Sequence, residues 1–341
     1  PNDWVYVYNF KSPRQPIALE LPAGQAVKFQ TMLHQTWQTT LKQLERRFTA
    51  ETYHNRIEAI RQQTGDVQQQ ALIELTQEGE ELDLKLVSRN DEHCFIPVQY
   101  VDDKVLEMTQ ADINALSSKE RSEINANIRH MDKKLERLGM HLGDLEEDAR
   151  DKVQVLNRDI AKQVLLPKVE QLLTKFAEVE GLKDYLKYYA EDIINNVEVV
   201  LEQEEDDFTP GLFSRIPSRY QANVIVSHKP NAGAPVIFED FPTHYNLLGH
   251  VEQLTQHGTI TTDFTLIRPG TLHKANGGFL MLEAEQLLEQ PYAWQGLKRA
   301  LKSGQLKLSS LEHMLTLTGS ISIEPEAIPL NLKVVLLAEP E

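Results

Sequence analysis

The chain has 341 residues, of which 41% are hydrophobic, and 51 acidic against 35 basic residues give it a formal net charge of −16. This size and composition are those of a globular protein with one or two domains. The acidic balance excludes a general binder of nucleic-acid phosphates, which needs a basic face. No apolar run reaches the roughly 18 residues of a membrane span, so no membrane partner is expected. The single cysteine excludes an internal disulfide framework, and a cytoplasmic protein is predicted.

Both ends of the chain have the pattern of core strands. Residues 4–8 (WVYVY) predict one strand, and residues 332–338 (LKVVLLA) have the near-continuous apolar character of a strand covered on both faces. Because a chain that begins and ends on core strands is incomplete as a domain, we expect a fragment of a longer polypeptide.

The first third of the chain is mostly helical. Apolar residues recur every three or four positions over residues 29–48, and shorter helical patterns follow at 53–60 and 72–75. The period then changes to two, and residues 82–86 and 94–98 predict a β-hairpin within 82–100. Pro97 predicts that the second strand lies at a sheet edge, since proline cannot donate to a ladder.

A long helix is predicted from Ser118, where Glu120 completes a capping-box pattern. Apolar residues from Ile124 through Met131 to Leu145 alternate spacings of four and three, which is typical of a seam for a partner helix. Pro167 predicts a kink or an end. Returning helices over 169–200 can supply the partner in an intramolecular antiparallel hairpin, and an intermolecular zipper is the alternative.

The last part of the chain has an α/β pattern. Strands are predicted at 222–226, 235–238, 279–282 and 332–338, with a helix over 287–301. Helices between buried strands favour a parallel sheet, which could also include residues 4–8. The acidic run at 202–207 predicts a solvated loop at a boundary. We do not interpret this run as a metal site, because its consecutive carboxylates lack the spacing of a calcium loop.

The segment 275–284 (ANGGFLMLEA) is an apolar strand that ends in Glu283 and Ala284. It resembles the Walker B strand of an ATPase core. Hydrolysis of a nucleotide needs one carboxylate for the metal and another to orient water, and only the first is present here. No G-x-x-x-x-G-K-[ST] phosphate loop occurs in the chain.

No other catalytic or metal site is predicted. Cys94 has no nucleophile motif around it, so we interpret it as a packing residue. Four histidines lie near one another in sequence but lack the spacing of a zinc site, and we interpret them as loop residues. These are His244, His250, His257 and His273.

Four ordered blocks, residues 3–10, 235–252, 262–284 and 291–304, strongly resemble the Lon-like ATP-dependent protease family. The nearest resemblance is to bacterial Lon homologues with a large helical insertion in the AAA+ module. It implies an incomplete AAA+-like parallel α/β core with an inserted helical, partly coiled-coil domain. The segments implied are 1–24 and 208–341 for the core and 25–207 for the insertion. In the family, a phosphate loop lies upstream and a Ser-Lys protease domain downstream of the segments present here.

The resemblance also implies roles for individual residues. The Walker B acid corresponds to Glu283, the hydrolytic glutamate is replaced by Ala284, and the γ-phosphate sensor falls near Glu339. A pore loop is implied around 253–263, and its candidate residues are Gly258, Thr259, Ile260 and Thr261. ATP with magnesium is the cofactor of the family, although the departures at Ala284 and Glu339 put its use by this chain in doubt.

The sequence therefore predicts the substrate-handling part of a Lon-like serine protease, which binds or gates polypeptides and forms a homo-oligomeric ring in its full-length form. The isolated chain is expected to have neither ATPase nor peptidase activity. The alternative is a structural or adaptor protein that uses the coiled-coil arm for assembly.

Overall fold

The computed structural model describes residues 1–89, 92–202, 216–256, 259–308 and 323–339, without the side chains of residue 92 and of residues 255–260. Over these residues the chain is a mixed α/β protein with long helices and a small parallel sheet. This fold class agrees with the prediction. None of the helices in these ranges combines the length and apolarity needed to cross a membrane. The predicted acidic boundary lies outside the described residues after Glu202.

The elements follow one another in two stretches. Those of residues 1–202 are β1 (Asp3–Val7), β2 (Ile17–Leu21), α1 (Ala26–Phe48), α2 (Glu51–Glu80), β3 (Leu84–Arg89), β4 (Glu92–Val101), β5 (Lys104–Glu107), α3 (Gln110–Ala115), α4 (Ser118–Lys175), α5 (Leu182–Asn195) and α6 (Val197–Glu202). Those after residue 216 are β6 (Ala222–Val226), β7 (Val236–Glu239), α7 (His244–Leu248), β8 (His250–Val251), β9 (Leu254–Gln256), β10 (Thr259–Thr261), β11 (Ile267–Arg268), α8 (Thr271–Lys274), β12 (Phe279–Glu283), α9 (Ala284–Glu289), α10 (Ala293–Ser303), β13 (Gln305–Leu306), β14 (Ile328–Pro329) and β15 (Lys333–Leu337).

The chain divides into two compact units. Unit 1 combines residues 1–45 with 160–341, and unit 2 consists of residues 46–159. Both boundaries between them fall inside helices, α1 and α4. The domain limits that the resemblance implies, at 24/25 and 207/208, stay a prediction.

Strand β1 lies in an antiparallel sheet of unit 1 with the order β2-β1-β6. Val5 is opposite Leu19 on one side and Val224 on the other. The prediction that residues 4–8 could join the parallel sheet is therefore wrong. Since β2 follows β1 after a short connection, the local antiparallel pairing wins over a distant parallel one. The side chains of Trp4 and Tyr6 still pack into the core that the parallel sheet shares.

The parallel sheet of unit 1 has the order β15-β12-β7. Leu280 and Leu282 of β12 are fully buried on one face, together with neighbouring side chains of the other two strands. The opposite face is open, with Phe238 51% exposed and Phe279 37% exposed. The prediction that residues 332–338 are covered on both faces is wrong, because most of β15 is exposed in this structure.

Helix α1 confirms the predicted helical period, since Phe29, Leu33 and Trp37 are buried along one side of it. The indole ring of Trp37 stacks on the ring of Tyr220 with 4.6 Å between centroids. The ring of Phe29 meets that of Phe176 edge to face at 5.3 Å. Aromatic pairs of this kind add to the area that the helix buries.

A kink or an end was predicted at Pro167, and the end is excluded because helix α4 continues through Pro167 to Lys175. A proline inside a helix costs about 3 kcal/mol. Here Leu165, Val169 and Leu172 are buried on both sides of it. Burial of each such side chain contributes about 1.5–3 kcal/mol, which offsets the lost hydrogen bond.

In unit 2 the partner of α4 is α2. Tyr53 donates a hydrogen bond to Asn157 at 3.0 Å, and Gln68 donates one to Glu146 at 3.5 Å. Further along the pair, Lys134 forms an ion pair with Glu78. These contacts run in opposite directions along the two helices, so the pair is antiparallel.

The antiparallel, intramolecular pairing was predicted, but the predicted partner helices over 169–200 were wrong. Residues 160–202 belong to unit 1, and the two helical patterns at 53–60 and 72–75 form the single helix α2 that contacts α4. Periodicity identifies a seam without showing which amphipathic helix lies on it.

The predicted hairpin at 82–100 is confirmed by β3 and β4, which pair antiparallel with Val87 opposite Cys94. The position of Pro97 was misread, because β5 adds a third strand and makes β4 central. The ladder between β4 and β5 extends from Val98 to Val101. Pro97 lies just before it, so the N–H that proline lacks is not missing from this ladder.

The carboxylate of Asp3 is fully buried at the start of β1. It accepts hydrogen bonds from the backbone N–H of Ala26 at 2.9 Å and of His228 at 2.8 Å. The His228 ring nitrogen Nδ1 lies 3.2 Å away and the Ser227 hydroxyl 3.5 Å away. The Asp3 side chain thus links the first residue of α1 to the segment after β6. This link closes unit 1.

Asp3→Ala should lower the free energy of unfolding of unit 1 by roughly 2–4 kcal/mol, because the buried N–H of Ala26 and the part-buried N–H of His228 lose their acceptor. Urea unfolding followed by tryptophan fluorescence measures this, since Trp4, Trp37 and Trp294 all lie in unit 1. The exposed Asp240 gives the control Asp240→Ala, which should change the value by less than about 0.5 kcal/mol. Equal effects of the two changes would contradict a central role for Asp3.

Candidate functional site

The carboxyl edge of the parallel sheet carries the residues that the sequence singled out for a nucleotide. Strands β12 and β15 are neighbours, and Glu283 at the end of β12 is opposite Leu337. Glu339 follows β15 by two residues and is exposed. Because parallel strands present their carboxyl ends at one edge, both side chains start from the same edge of the sheet.

At the end of β12 the strand passes directly into helix α9. Glu283 is half-buried, and one of its oxygens accepts a hydrogen bond from the Gln286 side chain at 2.7 Å. Ala284 is the first residue of α9. Its methyl group has no atom that could orient a water molecule, so the position beside the acid has no base.

The neighbouring strand adds two carboxylates that sequence reasoning missed. Strand β7 ends at Glu239, which is opposite Leu282, and Asp240 follows it. One oxygen of Glu239 accepts a hydrogen bond from the backbone N–H of Phe241 at 3.1 Å. Alignment of the three strand ends could have identified these residues, since all leave the sheet at the same edge.

This edge carries only part of what the hydrolysis of ATP with magnesium requires. Magnesium in a nucleotide complex takes one or two carboxylates besides the phosphates, and Glu283 is one such carboxylate at this edge. The whole sequence has no phosphate loop with its lysine, and the edge carries negative charge where phosphates would need positive charge. The residues present therefore support no hydrolytic step.

The second candidate site, residues 250–268, forms a two-part hairpin where a pore loop was predicted. At its base β8 pairs antiparallel with β11, with His250 opposite Arg268, and further out β9 pairs with β10. The Arg268 guanidinium donates to the Glu252 carboxylate at 2.8 and 2.7 Å. This hydrogen bond lowers the pKa of Glu252, which keeps the ion pair charged near neutral pH.

Three of the four predicted pore residues form the outer strand β10 of this hairpin. Gly258 lies outside the described residues. Thr259 and Ile260 belong to β10, and Ile260 is opposite Thr255. Thr261 is exposed, and its hydroxyl donates to the carbonyl of Leu254 at 3.4 Å. The assignment of these residues to a pore stays a prediction.

Two glycines allow the base of the hairpin to approach α7. At Gly249, where φ is +80°, a Cβ atom would lie 2.4 Å from the carbonyl oxygen of Arg268. At Gly270 a Cβ would lie 2.2 Å from the carbonyl oxygen of Leu247. Because only glycine fits at these distances, the hairpin is attached to α7 by backbone contact.

Of the three predicted histidines that the structure describes, His273 is the most deeply buried. Its Nδ1 accepts a hydrogen bond from the Gly270 N–H at 3.1 Å, while its Nε2 has no hydrogen-bond partner. Burial lowers the pKa of His273 from 6.5 to about 4, so the ring is neutral. Burial, and then the charge of Arg299, also lower the pKa of His244. The expected absence of a zinc site cannot be tested at His257, which lies outside the described residues.

Comparison with known proteins gives three matches that cover parts of the chain. Residues 232–341 match the family described as "LonB-like, AAA domain", and residues 3–36 match the family described as "Lon-like LonC helical domain". A stretch of 106 residues is 31% identical to the protein named "Putative Lon protease homolog" of Escherichia coli (strain K12).

The resemblance to the Lon-like family is confirmed. The match to the Escherichia coli protein covers 31% of this chain and 16% of that protein, so the chain spans a small part of its relative. The LonB-like match includes both candidate sites, the hairpin at 250–268 and the edge at Glu283 and Glu339. The LonC match includes Asp3 and the beginning of α1.

The buried neutral ring of His273 predicts a pH dependence of stability. Its pKa is lower in the folded protein than the ordinary value of 6.5, so between pH 6.5 and about 4 the unfolded chain binds a proton that the folded protein does not. The free energy of unfolding should therefore decrease as the pH is lowered through this window. For His273 alone, the decrease from pH 7 to pH 5 should be about 2 kcal/mol.

His273→Gln should remove that part of the pH dependence, since an amide oxygen can accept the Gly270 N–H without titrating. Urea unfolding at pH 7 and pH 5, followed by tryptophan fluorescence, compares the two proteins. An unchanged pH dependence in His273→Gln would contradict the assignment.

Proposed function

We propose that this chain is the polypeptide-handling part of a Lon-like ATP-dependent serine protease. The observation that carries the proposal is the LonB-like AAA match over residues 232–341, which includes the hairpin and the sheet edge. In this proposal, the hairpin contacts a polypeptide, and turnover of ATP and peptide-bond cleavage depend on segments that this chain does not contain.

The proposal extends to the architecture. Residues 1–45 and 160–341 would form an incomplete AAA+-like core, and the helical unit of residues 46–159 would be an insertion in it. The supporting observation is that residues far apart in sequence close unit 1, as Asp3 does with Ala26 and His228. The full-length protein would assemble as a homo-oligomeric ring, in which equivalent hairpins face one axis.

An adaptor function is the competing proposal, and the antiparallel pair of α2 and α4 favours it. Such a helix pair can serve assembly as well as substrate handling. The coding sequence around this chain separates the two proposals. A downstream segment with a serine and a lysine in protease context would support the protease, and its absence would support the adaptor.

Ile260→Ser in the full-length protein should slow the degradation of an unfolded protein such as casein several-fold. An apolar side chain on a hairpin can grip an extended polypeptide, whereas a serine makes a weaker contact. Cleavage of a short fluorogenic peptide, which needs no gripping, should change by less than about twofold.

The matched control is Leu254→Ser, which removes an exposed apolar side chain from β9 of the same hairpin. Its effect on casein degradation should be smaller, because Leu254 is at the inner end of the β9–β10 ladder, opposite Thr261. Equal loss of casein and peptide cleavage in Ile260→Ser would indicate a folding defect. Loss of neither would remove the hairpin from the mechanism.

The isolated chain should neither release phosphate from ATP nor degrade casein above a heat-denatured control. Ala284 lacks a carboxylate, and no phosphate loop neutralises the nucleotide. Ala284→Glu should not restore turnover, because the phosphates would still have no binding loop. Phosphate release by either protein, measured with a coupled colorimetric assay, would contradict this expectation.

A further inference from the structure

Unit 2 contains a groove of about 560 Å³ between α2, α4 and β4. Its floor is apolar, with Leu72 from α2 and Leu135, Leu138 and Leu142 from α4. Leu72 is 37% exposed, and the three leucines of α4 are half-buried. Below them Met131 and Phe95 close the core of the unit. Two helices alone cover only part of each other's apolar seam, so the upper part of the seam remains open.

One rim of the groove is acidic. Asp132 and Glu136 lie one helical turn apart on α4, and both line the groove. Neither of them forms an ion pair with a described residue, whereas nearby Lys134 is paired with Glu78. The groove therefore combines leucine-sized apolar contacts with two carboxylates that have no ion-pair partner within the described ranges, and Asp132 also accepts a hydrogen bond from the backbone N–H of Phe95 at 3.4 Å.

We propose that this groove binds a segment of polypeptide in which large apolar side chains stand beside lysine or arginine. The apolar side chains would contact the leucine floor, and the cationic group would meet Asp132 and Glu136. This inference rests on the proposed polypeptide-handling function and names the class of segment that the chain selects.

Charge complementarity favours this occupant over a second copy of the chain. Acidic residues outnumber basic ones across residues 46–159, and two copies docked through their grooves would bring like charges together. An incoming basic segment instead neutralises the rim. The volume is in the range of pockets that enclose a compact group of side chains, about 300–1,000 Å³.

Two glycines on α4 allow a matched test. Gly139 lines the groove and Gly143 does not, and a Cβ atom added at either position meets nothing within 4 Å. Gly139→Leu should fill the groove, whereas Gly143→Leu should place the same side chain elsewhere on the helix. Both changes replace glycine by a good helix former, so a difference between them does not come from helix stability.

The probe is a fluorescein-labelled twelve-residue peptide with four leucines and two arginines, measured by anisotropy with the intact chain. Exchange of its arginines for glutamates, or of its leucines for serines, should weaken binding at least about tenfold. Gly139→Leu should also weaken binding about tenfold, with Gly143→Leu unchanged. Glu136→Gln should weaken binding of the arginine peptide about threefold and reduce its salt dependence.

Cys94 gives a readout that localises the bound peptide. It is the single cysteine of the chain, it is half-buried, and it lines the groove. A saturating concentration of the arginine peptide should slow alkylation of Cys94 by iodoacetamide several-fold, and the glutamate peptide should not.

Other results would overturn the proposal. Peptide binding that is equal in Gly139→Leu and Gly143→Leu, with Cys94 unprotected, would place the peptide elsewhere on the chain. Equal binding of the arginine and glutamate peptides, or no binding of either, would reject the stated chemistry. A dimer in sedimentation that Gly139→Leu dissolves would assign the groove to self-assembly. None of these results bears on the effect of Ile260→Ser on casein degradation, which tests the proposed function by itself.

Discussion

The buried carboxylate of Asp3 is the interaction on which unit 1 depends. A carboxylate without solvent exposure is strongly destabilising unless several donors compensate it. The backbone N–H groups of Ala26 and His228 are among the groups that do so. Because Ala26 begins α1 and His228 follows β6, the same carboxylate determines where the helix starts and how residues after 216 close on residues before 45. The inserted residues 46–159 can then vary in length without changing this closure, since loop entropy grows only slowly with length.

The parts of the fold that could be predicted are those that local sequence determines. The period of α1, the capping box of α4 with Ser117 and Glu120, and the β3–β4 hairpin all depend on residues near one another in sequence. The wrong predictions concern which helix or strand lies against which. An apolar seam on α4 does not indicate whether α2 or a later helix covers it, and Pro97 does not indicate that a third strand follows. Apolar residues in β15 predicted a covered strand, yet composition cannot show what lies on the other face of a sheet.

The residues of the candidate site also divide into those that the sequence could predict and those that it could not. Glu283, Ala284 and Glu339 could be named from the resemblance, because each follows an apolar strand in a recognisable order. Glu239 and Asp240 were missed, since their relation to Glu283 depends on the parallel pairing of β7 with β12. The hairpin at 250–268 was predicted only as a loop. Its strands are two or three residues long, and the glycines that attach it to α7 act through contacts with residues on another element. Short strands of this kind carry too few residues for a period to be recognised.

Two open apolar surfaces in the described part of the chain differ in what they can select. The open face of the parallel sheet has Val236 and Phe238 on one strand and Val335 on another, with Lys333 at one end and Glu283 at the other. Glu239 and Asp240 leave the sheet at the same end as Glu283, so this face has a cationic end and an anionic end separated by the length of a strand. The groove of unit 2 has carboxylates alone on its α4 rim, without counter-ions among the described residues. Apolar area supplies affinity on both surfaces, but only an unbalanced charge supplies discrimination between partners of similar apolarity. In our proposal, selectivity for cationic polypeptide segments therefore comes from the groove, where both carboxylates line the apolar surface itself.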